Sequence, residues 1–250
     1  MDSFNSNQEL FWKTRSKGYD KLEWVNHIGY MNEILHAGDF KSDHIVLDVG
    51  TGTGTVLHHV APHVREIIGL DISQDMLKHS NWQGNKYFIR RDIREPIFKE
   101  AVFDRVIARM VFHHIVEDTQ KAVNECYKVL KYEGKFILSE GVPPCREVKS
   151  EYTEIFKLKE KRLIFMPQDL KQLLADAGFK NIEIYIYKMS GVSVSNWLEK
   201  SGLSKSVQQR IFDMHIYARD YFKKVYNMKI VDNDCLIDMK YITAVGSKIE

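Results

Sequence analysis

Three acidic residues, a glycine cluster and a pair of histidines carry most of the chemistry available to this 250-residue chain. Asp48 follows the apolar Val46-Leu47 and stands two places before the first glycine of Gly50-Thr51-Gly52-Thr53-Gly54. An apolar strand that runs into a glycine-rich turn and then a helix builds a nucleotide-binding corner. Glycine accepts positive φ and lets the backbone approach a ligand, and the following helix presents free N–H groups. A dinucleotide fingerprint places its third glycine five residues after the first. Thr55 occupies that position, and the third glycine comes one residue early, at Gly54. The Asp48 carboxylate would repel a pyrophosphate and attract an ammonium or a sulfonium. The corner therefore reads as a site for S-adenosylmethionine (SAM) and not for NAD.

Asp71 closes the run "IIGLDIS", Asp92 follows "FIRR", Arg109 ends "FDRVIAR", and His113-His114 come shortly after. All fall where an open α/β sheet binds ligands, beyond the carboxyl ends of its strands. Turn glycines and helix caps would explain any one of these residues, but not the set. His113 is a candidate general base, since an imidazole pKa near ~6.5 suits proton removal at neutral pH. A helix-start histidine bonded to backbone is the alternative. Adjacent residues of a helix do not face one another, so the pair is not read as a metal site, and no metal is expected. His114 and, farther along, Tyr217 and Tyr221 are candidate substrate contacts.

Alternating patterns must position these groups. Strands are predicted near 44–49, 66–71, 86–91, 103–108 and 135–140, with helices near 54–62, 74–80, 118–131 and 147–161. Short apolar strands alternating with helices imply a parallel sheet covered on both faces. Residues 8–38 read as two helices broken near Gly18, with Trp24, Ile28, Met31, Ile34 and Leu35 at helical spacing and Gly38 as the stop. The last two strands, 181–188 and 235–246, are separated by helical patterns at 194–200 and 205–226. The expected organisation is one domain over 1–250: N-terminal helices to 40, a core over 41–188, a helical insertion over 189–234 and a last strand over 235–250. The insertion reads as a lid over the substrate, or as helices packed on the sheet's end with aromatic residues as filler.

In this order the motifs resemble those of the class I SAM-dependent methyltransferases. The carriers are "VLDVGTGTG", "IIGLDIS", "FIRRDIREPIF", "FDRVIARMVFHHI", "VLKYEGKFILSE" and "PQDLKQLLADAGFKNIEIYIY". The set is most similar to the type 11 branch, which includes ubiquinone and menaquinone C-methyltransferases. The resemblance implies a Rossmann-like α/β sheet with helices on both faces. It also implies that Asp48 anchors the methionine ammonium and that the loop of Gly50, Thr51, Gly52 and Gly54 lines the methionyl chain. By the same resemblance Asp71 takes the ribose and Ile72 the adenine face. Asp92 and Ile93 take the adenine edge, the backbone at Arg109 takes the methionine amine, and Tyr19 of "GYD" lies over the cofactor. The implied activity is methyl transfer from SAM, leaving S-adenosylhomocysteine (SAH), to a small aromatic or amphipathic metabolite, with C-, N- and O-methylation all open. A non-catalytic SAM-binding sensor or partner subunit has the same cofactor half. An NAD-dependent oxidoreductase is weakened by Asp48 and Thr55.

Composition narrows the partners. Hydrophobic residues at 44% and charged residues at 28% are ordinary globular values. A net charge of +2 gives no reason to expect nucleic acid as a partner, and the run Lys157 to Arg162 reads as a solvated helix face. No apolar run approaches the ~18 residues of a membrane span, and the N-terminus lacks an apolar signal region. Cys126, Cys145 and Cys235 form no C-x-x-C pair and read as reduced thiols, so a cytoplasmic location is expected.

Overall fold

In the computed structural model, which describes residues 11–16, 18–80 and 83–250, the sheet is built around β1 (Ile45–Val49). Val46, Leu47 and Val49 are buried on alternate faces, as expected of a strand covered on both sides. β1 pairs in parallel with β2 (Glu66–Asp71) and with β4 (Phe103–Arg109). β3 (Lys86–Arg90) flanks β2, and β5 (Leu130–Val142) flanks β4, both also parallel. β8 (Asp234–Ser247) and β6 (Lys180–Ser193) complete the order β3-β2-β1-β4-β5-β8-β6, with β8 antiparallel to both neighbours. The short β7 (Lys229–Val231) pairs with the start of β8. Strand order reverses between β1 and β4, so the loops leaving these strands diverge and open a crevice.

Helices cover both faces. On one, α2 (Ile28–Gly38) and α3 (Thr55–Val60) bury Met31, Ile34, Leu57 and Val60 against Val46 and Ile67. On the other, α5 (Thr119–Val129) and α7 (Pro167–Asp176) bury Val123, Cys126, Leu170 and Leu174 against Leu47 and Val49. In α5 the buried residues recur at the three-to-four spacing of an amphipathic helix. α2 ends at Gly38, and Arg105 of β4 takes its free carbonyls: Nε donates to Gly38 O at 2.7 Å and Nη2 to Asp39 O at 3.1 Å. A buried chain of hydroxyls, Tyr30 to Ser139 at 2.7 Å and Ser139 to Thr243 at 2.8 Å, fixes α2 to β5 and β8. The remaining helices are α1 (residues 11–16), α4 (Gln74–Leu77) and α6 (Lys149–Lys159), with α8 (Val194–Glu199), α9 (Lys205–Ile216) and α10 (Asp220–Val225) before β7. No helix among the described residues is long and apolar enough to cross a membrane.

Several boundaries differ from the sequence reading. The helical pattern over 205–226 is broken between α9 and α10, and the strand near 135–140 runs from Leu130 to Val142. Residues 22–26 are turns and not helix, closed by Asn26 Nδ2 donating to Asp20 O at 2.8 Å, so Trp24 packs from a loop. β6 runs on to Ser193, with Met189 and Val192 buried, so the segment 189–193 is strand and the helices begin at Val194. Ser193 explains the abrupt change, because its Oγ accepts from Asn196 N at 2.9 Å and caps α8.

Candidate active site

The loops beyond β1, β2, β3 and β4 enclose a cavity of about 130 Å³. The β1 loop turns on Gly50, Gly52 and Gly54, with φ of 65°, 58° and 87°. At Gly50 a Cβ would lie 2.2 Å from Val111 Cγ2, so glycine alone lets this loop lie against the exit of β4. Thr51 Oγ1 donates to Asp48 Oδ2 at 2.7 Å. Asp71 joins two loops, accepting from Gly52 N and from Ser73 N, each at 2.8 Å. Asp48 is 1% exposed, and burial pushes its carboxyl up to about 7; burial likewise pushes Asp71 up to about 6. Two desolvated carboxylates on one wall make the cavity favourable for a cation or for hydrogen-bond donors.

At Asp92 the upward push of burial is outweighed by Arg94, whose Nη2 lies 2.6 Å from Oδ2, so this carboxyl titrates below its usual range. Ile93 is buried beside it, and Ile72 sits exposed at the rim. Arg109 Nη1 donates to Val25 O at 2.9 Å, its guanidinium lies 5.5 Å from the Trp24 ring, and Nε has no partner among the described residues. Tyr19 completes the wall. Asp48, Gly50, Thr51, Gly52, Asp71, Ile72, Asp92, Ile93, Arg109 and Tyr19 thus converge on one cavity. Gly54 does not: it caps α3, with its Cβ position 3.0 Å from His58 Nε2, and its part is to turn the chain into that helix.

A second chamber of about 70 Å³ adjoins the first, and Trp12, Tyr19, Met110 and His114 line both. Met110 holds a left-handed φ of 58° at the end of β4, and its sulfur accepts from Gly141 N at 3.1 Å. Such a conformation costs a non-glycine residue roughly 1–3 kcal/mol and is concentrated at functional sites. His113 is buried in the wall of the second chamber, not of the first. Its Nδ1 lies 2.6 Å from Glu140 Oε2, while Glu140 Oε1 accepts from the amides of Val111 and His113. Burial, then Arg162, holds His113 far below the usual imidazole range, and burial pushes Glu140 up to about 7. With Glu140 accepting from Nδ1–H, the neutral ring keeps its lone pair at Nε2, which lies 4.0 Å from Glu160 Oε1.

Ligand atoms of His113, His114 and Glu160 lie within 4.8 Å of one another, a spacing that could hold a metal ion. The charges oppose it. Glu160 already accepts from Arg15 at 2.6 Å, Lys159 at 3.0 Å and Arg162 at 3.1 Å, so a divalent ion would meet three cations.

Trp197 of α8, His215 of α9 and Tyr226 also line the second chamber. The two tyrosines proposed from sequence as substrate contacts lie elsewhere: Tyr217 is 83% exposed, Tyr221 is 42% exposed, and neither lines a chamber. α9 turns Ile211 and His215 inward, and a residue two places on falls on the opposite face of the helix. The run Lys157 to Arg162 also departs from the solvated face expected of it. Lys157 is exposed, but Lys159, Glu160 and Arg162 line the chamber, because α6 stops at Lys159 and the chain becomes extended at Glu160. A carboxylate set among basic residues at a helix end was the available signal. Trp12 and Met110 gave none.

Residues 47–138 match the family described as "Methyltransferase domain". Over 208 residues the chain is 27% identical to an uncharacterized methyltransferase of Schizosaccharomyces pombe, covering 76% of this chain and 70% of the relative. It is 36% identical over 103 residues to the demethylmenaquinone methyltransferase of Thermotoga maritima, covering 40% of this chain and 44% of that one. The crystal structure of the YcgJ protein from Bacillus subtilis superposes with a TM-score of 0.80 at 20% identity, covering 90% of this chain and all of that one.

Proposed function

Since this chain belongs to the class I SAM-dependent methyltransferases, in their type 11 branch, we propose that it transfers a methyl group from SAM to a small acceptor held in the second chamber. The observation that carries this reading is the junction between the chambers. A cavity that holds Asp48 and Asp71 shares Trp12, Tyr19, Met110 and His114 with a second chamber that has aromatic walls.

The residues present fit the cofactor. Asp48 is a buried carboxylate whose raised pKa reflects burial that Thr51 and Arg109 only partly offset, and the methionyl ammonium would offset it further. Asp71 keeps lone pairs for ribose hydroxyls, and the Gly50–Gly52 turn brings backbone close to the methionyl chain. When bound, SAM supplies a methyl carbon already activated by its sulfonium. The protein is left to align the acceptor, exclude water and, where the acceptor carries one, remove a proton. The aromatic lining, with Tyr152, Phe156, Trp197 and Tyr226, suits an aromatic or amphipathic body. His113, held by Glu140 and neutral, would take the proton at Nε2. Free thiols at Cys126, Cys145 and Cys235 suit a reducing compartment, which favours the cytoplasm.

Calorimetry with SAM, SAH and NAD, followed by incubation with methyl-labelled SAM and a metabolite pool, tests the proposal. SAM and SAH should bind, NAD should not, and label should appear in a small product. Binding of NAD without SAM would overturn the cofactor reading. Binding of SAM with no labelled product from any pool would leave a sensor in place of an enzyme.

A further inference from the structure

Among the described residues, four basic side chains line the second chamber, Arg15, Lys159, Arg162 and Lys240, against the one carboxylate of Glu160. All of these but Lys240, which is half-buried, are withdrawn from the surface. Arg15 is 5% and Lys159 6% exposed, and the side chains of Arg162 and Glu160 are 3% exposed. Glu160 is divided among Arg15, Lys159 and Arg162, and Lys240 donates to the Pro144 carbonyl at 3.2 Å. The nearby Glu140 is already bonded to His113 Nδ1 and two backbone amides, and the chamber's histidines are held neutral by burial.

Buried cations without their own counter-charge are costly, by several kcal/mol each. The excess shows at Lys159, whose ammonium is driven down to about 7 by burial and then by Arg15. It shows also at Arg15, whose buried Nε has no hydrogen-bond partner among the described residues. The cations stand against aromatic walls, the Arg162 guanidinium 4.2 Å from the Phe156 ring centre and the Lys159 ammonium 5.1 Å from that of Trp197. Aromatic faces soften the burial of a cation but do not neutralise it.

We infer that this wall of the chamber binds an anionic group of the methyl acceptor, a carboxylate or a phosphate, through Arg15, Lys159 and Arg162. The acceptor is then an anionic small molecule with an apolar or aromatic body, its anionic group held on the wall beside His113 and His114. This rests on the methyl-transfer reading for the name of acceptor, but not for the binding of the anion. A neutral ring would leave the excess charge in place, and a cationic amine would add to it.

The test uses the full chain, with and without SAH, and four probes: phenyl phosphate, benzoate, phenol and benzylamine. Calorimetry and thermal melting should show at least one anion binding about 10- to 100-fold more tightly than phenol, the scale of hydrogen bonds to charged groups, and no binding of benzylamine. Preference for phenyl phosphate identifies a phosphate site, and preference for benzoate a carboxylate site. Lys159→Met and Arg162→Gln should each lose the anion preference while SAH affinity stays within a factor of two. The inference is overturned if phenol or benzylamine binds as tightly as the anions, if neither anion binds, or if both variants keep the preference. Failure to bind SAM or to transfer label would count against the methyl-transfer reading alone, since the anion preference is read without turnover.

Discussion

Affinity for SAM should depend on pH through Asp48, and the structure sets the window. Its carboxyl titrates at about 7 in the ligand-free protein because burial disfavours the charged form. A cationic ligand selects that charged form, so the neutral fraction must ionise before it binds. At pH 8 about nine-tenths of Asp48 is ionised, and at pH 6 about one-tenth, so the apparent Kd should rise about tenfold, or ~1.4 kcal/mol. Asp71, pushed to about 6, adds to the loss only below that pH. Stability carries the opposite sign. The folded pKa lies above the unfolded value of 3.8, so between these values the folded protein holds a proton that the unfolded chain has released. That contribution is lost as pH rises toward 7, and the thermal upshift produced by SAM should therefore be larger at pH 8 than at pH 6. Glu140 and Lys159 titrate in the same range, so Asp48→Asn is the control: it should weaken SAM at pH 8 by about 1.5–3 kcal/mol and flatten the profile above pH 6.5. Calorimetric titrations of both proteins at pH 6, 7 and 8 decide the matter. An affinity constant within twofold across the range, or a slope that survives in Asp48→Asn, would refute the reasoning.

Three further outcomes are expected. Gly50→Ala should lower the melting temperature and impair SAM binding, since its Cβ would stand 2.2 Å from Val111 Cγ2 at a φ of 65°; overpacking of this kind costs about 1–3 kcal/mol, and normal SAM affinity in the variant would contradict it. For an acceptor that must lose a proton, His113→Ala should slow the chemical step by about 10²–10⁴-fold, with no histidine limb in the wild-type rate between pH 6 and 8, because His113 is already neutral there; single-turnover rates that rise through pH 6.5 and lose that rise in the variant would show otherwise. Tyr217→Ala should leave turnover unchanged, whereas Trp197→Ala should raise KM for the acceptor by removing part of the wall of its chamber, and steady-state kinetics with equal effects from both would count against this boundary.

That Asp48, Asp71, Asp92 and Arg109 line one cavity was readable in the sequence because each part of it is local. Asp48 and its glycines sit on one strand–turn, and Asp71, Asp92 and Arg109 each close a strand whose apolar run announces it, so parallel pairing brings them together. Gly54 lies outside although Thr55 and Val56 beside it line the cavity, because its left-handed backbone serves to turn the chain into α3. The second chamber, the proposed acceptor site, is assembled from separate elements. Trp12 and Arg15 come from α1, Lys159 and Arg162 from the end of α6, and Trp197, His215 and Tyr226 from the segment after β6. No spacing along the chain records that these meet. The tyrosines chosen from sequence failed for the same reason: an excess of aromatics in the insertion says that a face is buried, but not which residues are on it.

Under the proposed methyl transfer the two chambers would also divide the work of the reaction. The groups that Asp48 and Asp71 would engage, an ammonium and ribose hydroxyls, keep their charge while a methyl group moves. Arg15, Lys159 and Arg162 would hold an anionic group of the acceptor that itself takes no methyl group and keeps its charge. Interactions of equal strength in the ground state and the transition state lower KM without raising kcat. Rate must therefore come from the junction, where Met110 is fixed by the sulfur contact to Gly141 N and where His114 packs edge-on to Trp12 at 4.8 Å. These side chains set the approach of acceptor to methyl carbon and leave little room for water, and alignment of this kind can contribute several orders of magnitude. It follows that substitutions at Asp48 or Lys159 should act mainly on KM, while Met110→Ala, which removes the wall and keeps the strained φ, should act mainly on kcat.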